Sequence, residues 1–207
     1  IWEWPVAQLG IHSAGAVLVP LNTRYKGTEA AHILRASGAR ALFCVEGFLG
    51  NQYVSMLRDA TDGLADVPLL DKIVVLRGDP PEGTVSSADF LVGGDQVDRS
   101  TVDARVEALG PEDLSDILFT SGTTGAPKGV MCTHGQVLRG YADWAAVVGL
   151  RPEDRYLVIN PFFHAFGYKA GIIAALTVGA TLVPEAVFDV PAAMASIAAE
   201  RISMILG

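Results

Sequence analysis

The sequence predicts an α/β fold with mainly parallel sheets and flanking helices. Three observations carry this. Short apolar runs alternate with longer amphipathic stretches along most of the chain. Glycines (Gly38 and Gly149) follow the ends of two helical stretches, where a left-handed residue closes a helix. Half of the 207 residues are apolar and only 18% are charged, which supplies a core and excludes a disordered chain. That length fits one domain or slightly more.

In order, Trp4–Ser13 reads as a helix and Ala16–Val19 as a strand. Thr28–Ser37 is helical, followed by strands at Ala41–Val45 and Lys72–Leu76. The stretch from Asp59 to Asp116 holds 14 acidic and 4 basic residues and much Gly/Pro punctuation. It reads as a solvated, variable surface segment. Strands follow at Asp116–Thr120 and Gly129–Thr133. Eight residues between them leave no room for a crossover helix, so the two should pair directly. His134–Val148 is a helix with Val137, Tyr141, Trp144 and Val148 at helical spacing. Tyr156–Ile159, Thr181–Val183 and Ile202–Leu206 read as strands, and Phe166–Val178 and Val190–Arg201 as helices.

Net charge is −8, the wrong sign for bulk nucleic-acid binding. Two cysteines, Cys44 and Cys132, cannot form a disulfide framework, so a reducing cytoplasm is the expected compartment. No apolar run reaches the ~18 residues of a membrane span. His12, His32 and His134 lack metal-ligand spacing. The chain opens at Ile1-Trp2-Glu3-Trp4 and stops inside an apolar run, so both ends read as cut from a longer protein.

The segment with chemistry in it is Thr120-Ser121-Gly122-Thr123-Thr124-Gly125-Ala126-Pro127-Lys128-Gly129. Glycines let backbone N–H groups approach a ligand, successive N–H groups make an anion nest, and hydroxyls and a lysine add donors and charge. The assembly suits a polyphosphate. Pro127 before Lys128 breaks the Walker A pattern, and no Gly-x-Gly occurs for a dinucleotide fingerprint. A surface hairpin rich in turn residues is the plainer reading of the same composition. Downstream, His164 lies in an aromatic run with Phe162, Phe163, Phe166 and Tyr168. Composition alone makes His164 a core histidine, and leaves the aromatics equally as pocket lining or core.

Leu118–Gly129 (LFTSGTTGAPKG) resembles the phosphate-loop signature of the adenylate-forming superfamily, which includes acyl-CoA synthetases, peptide-synthetase adenylation domains and luciferases. Ala14–Tyr25 resembles the upstream core motif of that superfamily, and Pro161–Gly167 its downstream aromatic–histidine motif. The resemblance implies that the chain is part of the large N-terminal domain of such an enzyme. It also implies the reaction. A carboxylate attacks the α-phosphorus of ATP to give acyl-adenylate and pyrophosphate, and coenzyme A then captures the acyl group. By motif position, Thr120, Ser121, Gly122, Thr123, Thr124, Gly125 and Lys128 would hold the phosphates, and Thr124 would offer a hydroxyl to Mg²⁺. His164 would lie beside the substrate carboxylate, with Phe162, Phe163, Phe166 and Tyr168 around the acid.

Asn160–Ile172 and Val19–Tyr25 further resemble one branch, the actinobacterial ligases of steroid degradation. These activate HIP, a bicyclic propanoate left after rings A and B are removed; a fatty acid is the other expected substrate. The later family motifs are a magnesium-binding Glu, a ribose-binding Asp and the lysine of the small C-terminal domain. They lie outside this sequence, so the 207 residues alone are expected to be inactive. An open sheet edge would favour a homodimer. Two other readings stay open: an adenylation domain that loads a carrier protein, and a non-enzymatic binding or structural module.

Overall fold

The computed structural model describes residues 1–120 and 127–206. In chain order the elements are α1 (Glu3–Ser13), α2 (Gly27–Ser37), β1 (Ala41–Val45), a short 3₁₀ turn at Phe48–Gly50, α3 (Tyr53–Ala60), β2 (Lys72–Arg77) and β3 (Val85–Ser86). Then come α4 (Ser87–Gly94), α5 (Arg99–Ala108), β4 (Leu114–Thr120), β5 (Lys128–Thr133), α6 (His134–Val148) and β6 (Arg155–Val158). The chain continues through a π-helix at Phe166–Ile173, α7 (Ala174–Val178), β7 (Thr181–Pro184), α8 (Val190–Ala199) and β8 (Met204–Ile205). The fold class is the α/β arrangement that the alternation of runs predicts.

The chain divides into two compact units. One consists of Leu21–Ala108 with the described residues of Phe119–Gly129. Its sheet has the order β1-β2-β3, all parallel, with Ala41 opposite Lys72 and Val74 opposite Val85. The central strand β2 buries three consecutive apolar residues, Ile73, Val74 and Val75, as a strand covered on both faces must. Helices α2 and α3 pack through Ala31, Leu34 and Leu57.

The other unit holds Ile1–Pro20, Leu109–Leu118 and the described residues from Val130 onward. Its three-stranded sheet has the order β7-β6-β8, again parallel, with Tyr156 opposite both Leu182 and Met204. Here β6 is the covered strand, with Tyr156, Leu157 and Val158 buried. Helix α6 starts on a capping box. The Gln136 N–H donates to Thr133 Oγ1 at 3.3 Å, and the Thr133 N–H donates to Gln136 Oε1 at 3.0 Å. It ends at Gly149, φ 72°, in the left-handed region, as α2 does at Gly38, φ 65°.

Four expectations need correction. Ala16–Val19 forms no strand; it makes one parallel bridge, Leu18 to Asp116, because Pro20 has no N–H to extend the ladder. Phe166–Val178 is not one α-helix but a π-helix followed by a short α-helix. The acidic stretch, read as a solvated surface segment with one strand, also holds β3, α4 and α5, although neither helix buries a residue. Helix α3 was not expected at all, because only Val54 and Leu57 mark its buried face. The predicted direct pairing of the two strands around the glycine-rich segment is present, as β4 with β5.

Burial pushes the Cys44 thiol on β1 up to about 12, and the nearby Glu46 charge adds to this. Iodoacetamide at pH 8 should therefore leave Cys44 unmodified in a native Cys132→Ser variant and modify it in denaturant, read by intact mass. Rapid native labelling would show that β1 is not packed as described.

Candidate functional site

Strand β4 delivers the chain to Thr120, and β5 resumes at Lys128. Both residues are exposed, and the Thr120 hydroxyl donates to the Lys128 carbonyl at 3.4 Å. A cation and a hydroxyl thus stand at the foot of the glycine-rich segment. Ser121, Gly122, Thr123, Thr124 and Gly125, which sequence reasoning places on the phosphates, lie outside the described residues.

The aromatic–histidine segment follows β6. His164 is exposed. Its N–H donates to the Pro161 carbonyl at 3.0 Å, and its carbonyl accepts from the Tyr168 N–H at 2.9 Å. Its Nδ1 accepts the Phe166 N–H at 3.3 Å. With Nδ1 an acceptor, the neutral ring carries its proton on Nε2, which leaves one outward-available donor. The four aromatics divide between core and surface. Tyr168 is fully buried, with its ring centroid 5.5 Å from Trp4; Phe162 lies 5.6 Å from the same indole. Phe166 meets Trp144 edge-on at 5.9 Å. Phe163 is half-buried.

This segment is tightly held. A Cβ on Gly167 would run into the carbonyl oxygens of Asn160 and Pro161, so the turn closes only around a residue without one. Burial, and then the neighbouring Asp116 charge, push the Tyr168 hydroxyl up, so it stays protonated.

Sequence reasoning missed two residues beside the segment. Lys169, in the middle of the π-helix, is 4% exposed, and Asp116, on β4, is fully buried. The Lys169 Nζ lies 2.8 Å from Asp116 Oδ1. A signal existed for Lys169, a lone charge inside an apolar run, where an unpaired charge is not tolerated; Asp116 gave none, because it follows Glu112 and Asp113 and closes the acidic stretch. Nearby, His12 and His134 meet edge-on at 5.1 Å. Burial, and then the His134 charge, lower the pKa of His12. Among the described residues no group of three or more His, Cys, Asp or Glu side chains is placed to hold a metal ion.

The sequence pattern of the AMP-binding enzymes matches residues 1–207. The chain belongs to that family. Two curated relatives are similar over its whole length. Both are named as ligases that join coenzyme A to a methyl-dioxo-octahydroindenyl propanoyl group. The one from Rhodococcus jostii is 46% identical over 207 residues, which cover 40% of its own length. The one from Mycobacterium tuberculosis is 48% identical over 208 residues, or 39% of its length. A solved structure of an anthranilate CoA ligase in complex with anthranoyl-AMP matches with TM-score 0.77 at 27% identity, covering 98% of this chain and 37% of that one. This AMP-binding enzyme chain therefore spans about two-fifths of the curated relatives it matches. Among the described residues, no helix is long and apolar enough to cross a membrane.

Replacing Gly167 with Ala should destabilise the protein by about 1–3 kcal/mol, because the added methyl must displace backbone carbonyls. Urea unfolding followed by fluorescence checks this; an unchanged midpoint would refute the close packing of the turn.

Proposed function

We propose that the full-length protein is an ATP-dependent acid–CoA ligase whose acid is a bicyclic, steroid-derived propanoate. The observation that carries this is the similarity, at 46% and 48% identity over the whole chain, to two ligases named for that acyl group. The glycine-rich segment supports it, because its composition suits a polyphosphate and it leaves β4 at an exposed hydroxyl.

In this reading the acid carboxylate attacks the α-phosphorus of ATP, the bond to the bridging oxygen breaks, and pyrophosphate leaves. Charge then accumulates on the departing phosphates. Thr120, Ser121, Gly122, Thr123, Thr124, Gly125 and Lys128 are the donors that meet it. Hydroxyl oxygens are hard donors that fit Mg²⁺, so Thr124 would hold the ion, which would supply charge neutralisation on the phosphates. The Nε2–H of His164 hydrogen-bonds a carboxylate oxygen and holds the acid for attack. Phe163 and Phe166 flank the apolar acyl group, while Phe162 and the buried Tyr168 back that wall through Trp4. The thiolate of coenzyme A then displaces AMP from the acyl carbon. The cytoplasm, where ATP and coenzyme A are abundant, is the compartment, and a homodimer is the assembly we favour. The 207 residues alone are inactive in this reading.

Pyrophosphate release by the full-length protein with the bicyclic propanoate, ATP and Mg²⁺ tests the proposal, with the thioester identified by mass. Thr123→Val and Lys128→Ala should each lower the rate, by up to about 10²-fold for a lost donor to the leaving charge. Preference for a fatty acid would overturn the substrate. Transfer to a carrier protein without coenzyme A would overturn the acceptor. Unchanged rates in both variants would remove the two residues from the site.

A further inference from the structure

The buried ion pair between Lys169 and Asp116 belongs to neither the phosphate segment nor the aromatic–histidine segment, yet it touches the elements that carry both. Asp116 sits four residues before Thr120 on β4, and alternation places the two on one face of the strand. Lys169 sits five residues after His164, inside a helix wound with the wide π repeat. Such turns are rare and need a specific cause. Here every residue from Gly167 to Ile173 is buried, and Lys169 is the one charged side chain among them. Its ammonium reaches Asp116 at 2.8 Å. Breaking this pair is costly, because a shift of either element leaves a bare charge out of water. The π-helix is also tied back to the histidine through the Tyr168 N–H, which donates to the His164 carbonyl.

We propose that Lys169 and Asp116 are a positioning pair: their ion pair fixes the π-helix on β4 and thereby holds the His164 segment where the acid carboxylate must lie. This rests on the ligase reading above. Neither residue is catalytic, since both are buried and act through His164. The consequence is selective. Breaking the pair misplaces the acid, and a displacement near 1 Å can cost about 10²-fold in rate. The phosphates, held by the segment between β4 and β5, feel it much less.

The test uses the full-length protein and three variants: Lys169→Met, Lys169→Arg, and the double variant Lys169→Met/Asp116→Leu. The double variant removes both charges together, a change that often preserves stability, and so separates positioning from folding. We expect it to melt near the parent's temperature. It should lose at least about tenfold in kcat/KM for the acid, with KM for ATP changed less than about twofold. Lys169→Arg should recover a substantial part of the loss in Lys169→Met. A double variant with the parent's kcat/KM would overturn the proposal, as would equal losses for acid and ATP. Amide exchange is read on the same samples and needs no turnover. His164–Ile173 should exchange at least tenfold faster in the double variant while β6 stays protected, and unchanged exchange would overturn the proposal. If the parent releases no pyrophosphate with any acid, the ligase reading fails, and the exchange result still decides whether the pair fixes this segment.

Discussion

An ammonium and a carboxylate lie 2.8 Å apart inside one of the two units, and neither has meaningful access to water. Removing each ion from solvent costs several kcal/mol, which only their close approach offsets. That requirement orders its surroundings. In the positioning reading strand β4 and the π-helix meet at one register, and Leu18, Val137, Tyr168 and Ile173 form one buried cluster in the same unit. The single bridge from Leu18 to Asp116 then seats the chain after α1 along β4. Apolar packing by itself would tolerate several such seatings. A charge pair tolerates few.

The two sheets are stiff for a different reason. Each has a central parallel strand, β2 or β6, with three consecutive apolar residues buried. A strand covered on both faces gains burial from every residue rather than every second one. The segment that leaves β6 holds His164 and its aromatic neighbours, whereas the phosphate residues lie between β4 and β5, a separate pair of strands. Rigid strands with chemistry on their connections is a division common to α/β folds.

How much of this was legible in the sequence depended on whether a residue's local surroundings decide its state. Helix α6 is legible with its observed bounds because Val137, Tyr141, Trp144 and Val148 recur at helical spacing and Gly149 closes the last turn. Strand β1 was read with its observed bounds as a short apolar run. The glycine-rich segment was legible as a motif, since its chemistry is local. The π-helix was not, because an apolar stretch buried all round shows no periodicity to measure. Lys169 and Asp116 were passed over for a related reason. A lysine or aspartate ordinarily signals solvent, and only a partner 53 positions away in the chain makes burial acceptable. Tyr168 and Phe162 could not be assigned between core and pocket until the Trp4 ring was seen beside them.

Helix α5 has a different meaning for the history of the chain. None of its ten residues is buried, and Arg99 pairs with Asp103 one turn along the same helix. An element that owes the core nothing can lengthen, shorten or change composition without disturbing either sheet. Selection for stability therefore has little hold on Arg99–Ala108, while it holds β2 and β6 at nearly every position. Sequence drift among relatives should concentrate there, and a reporter peptide could be spliced into that helix with the rest of the fold left intact.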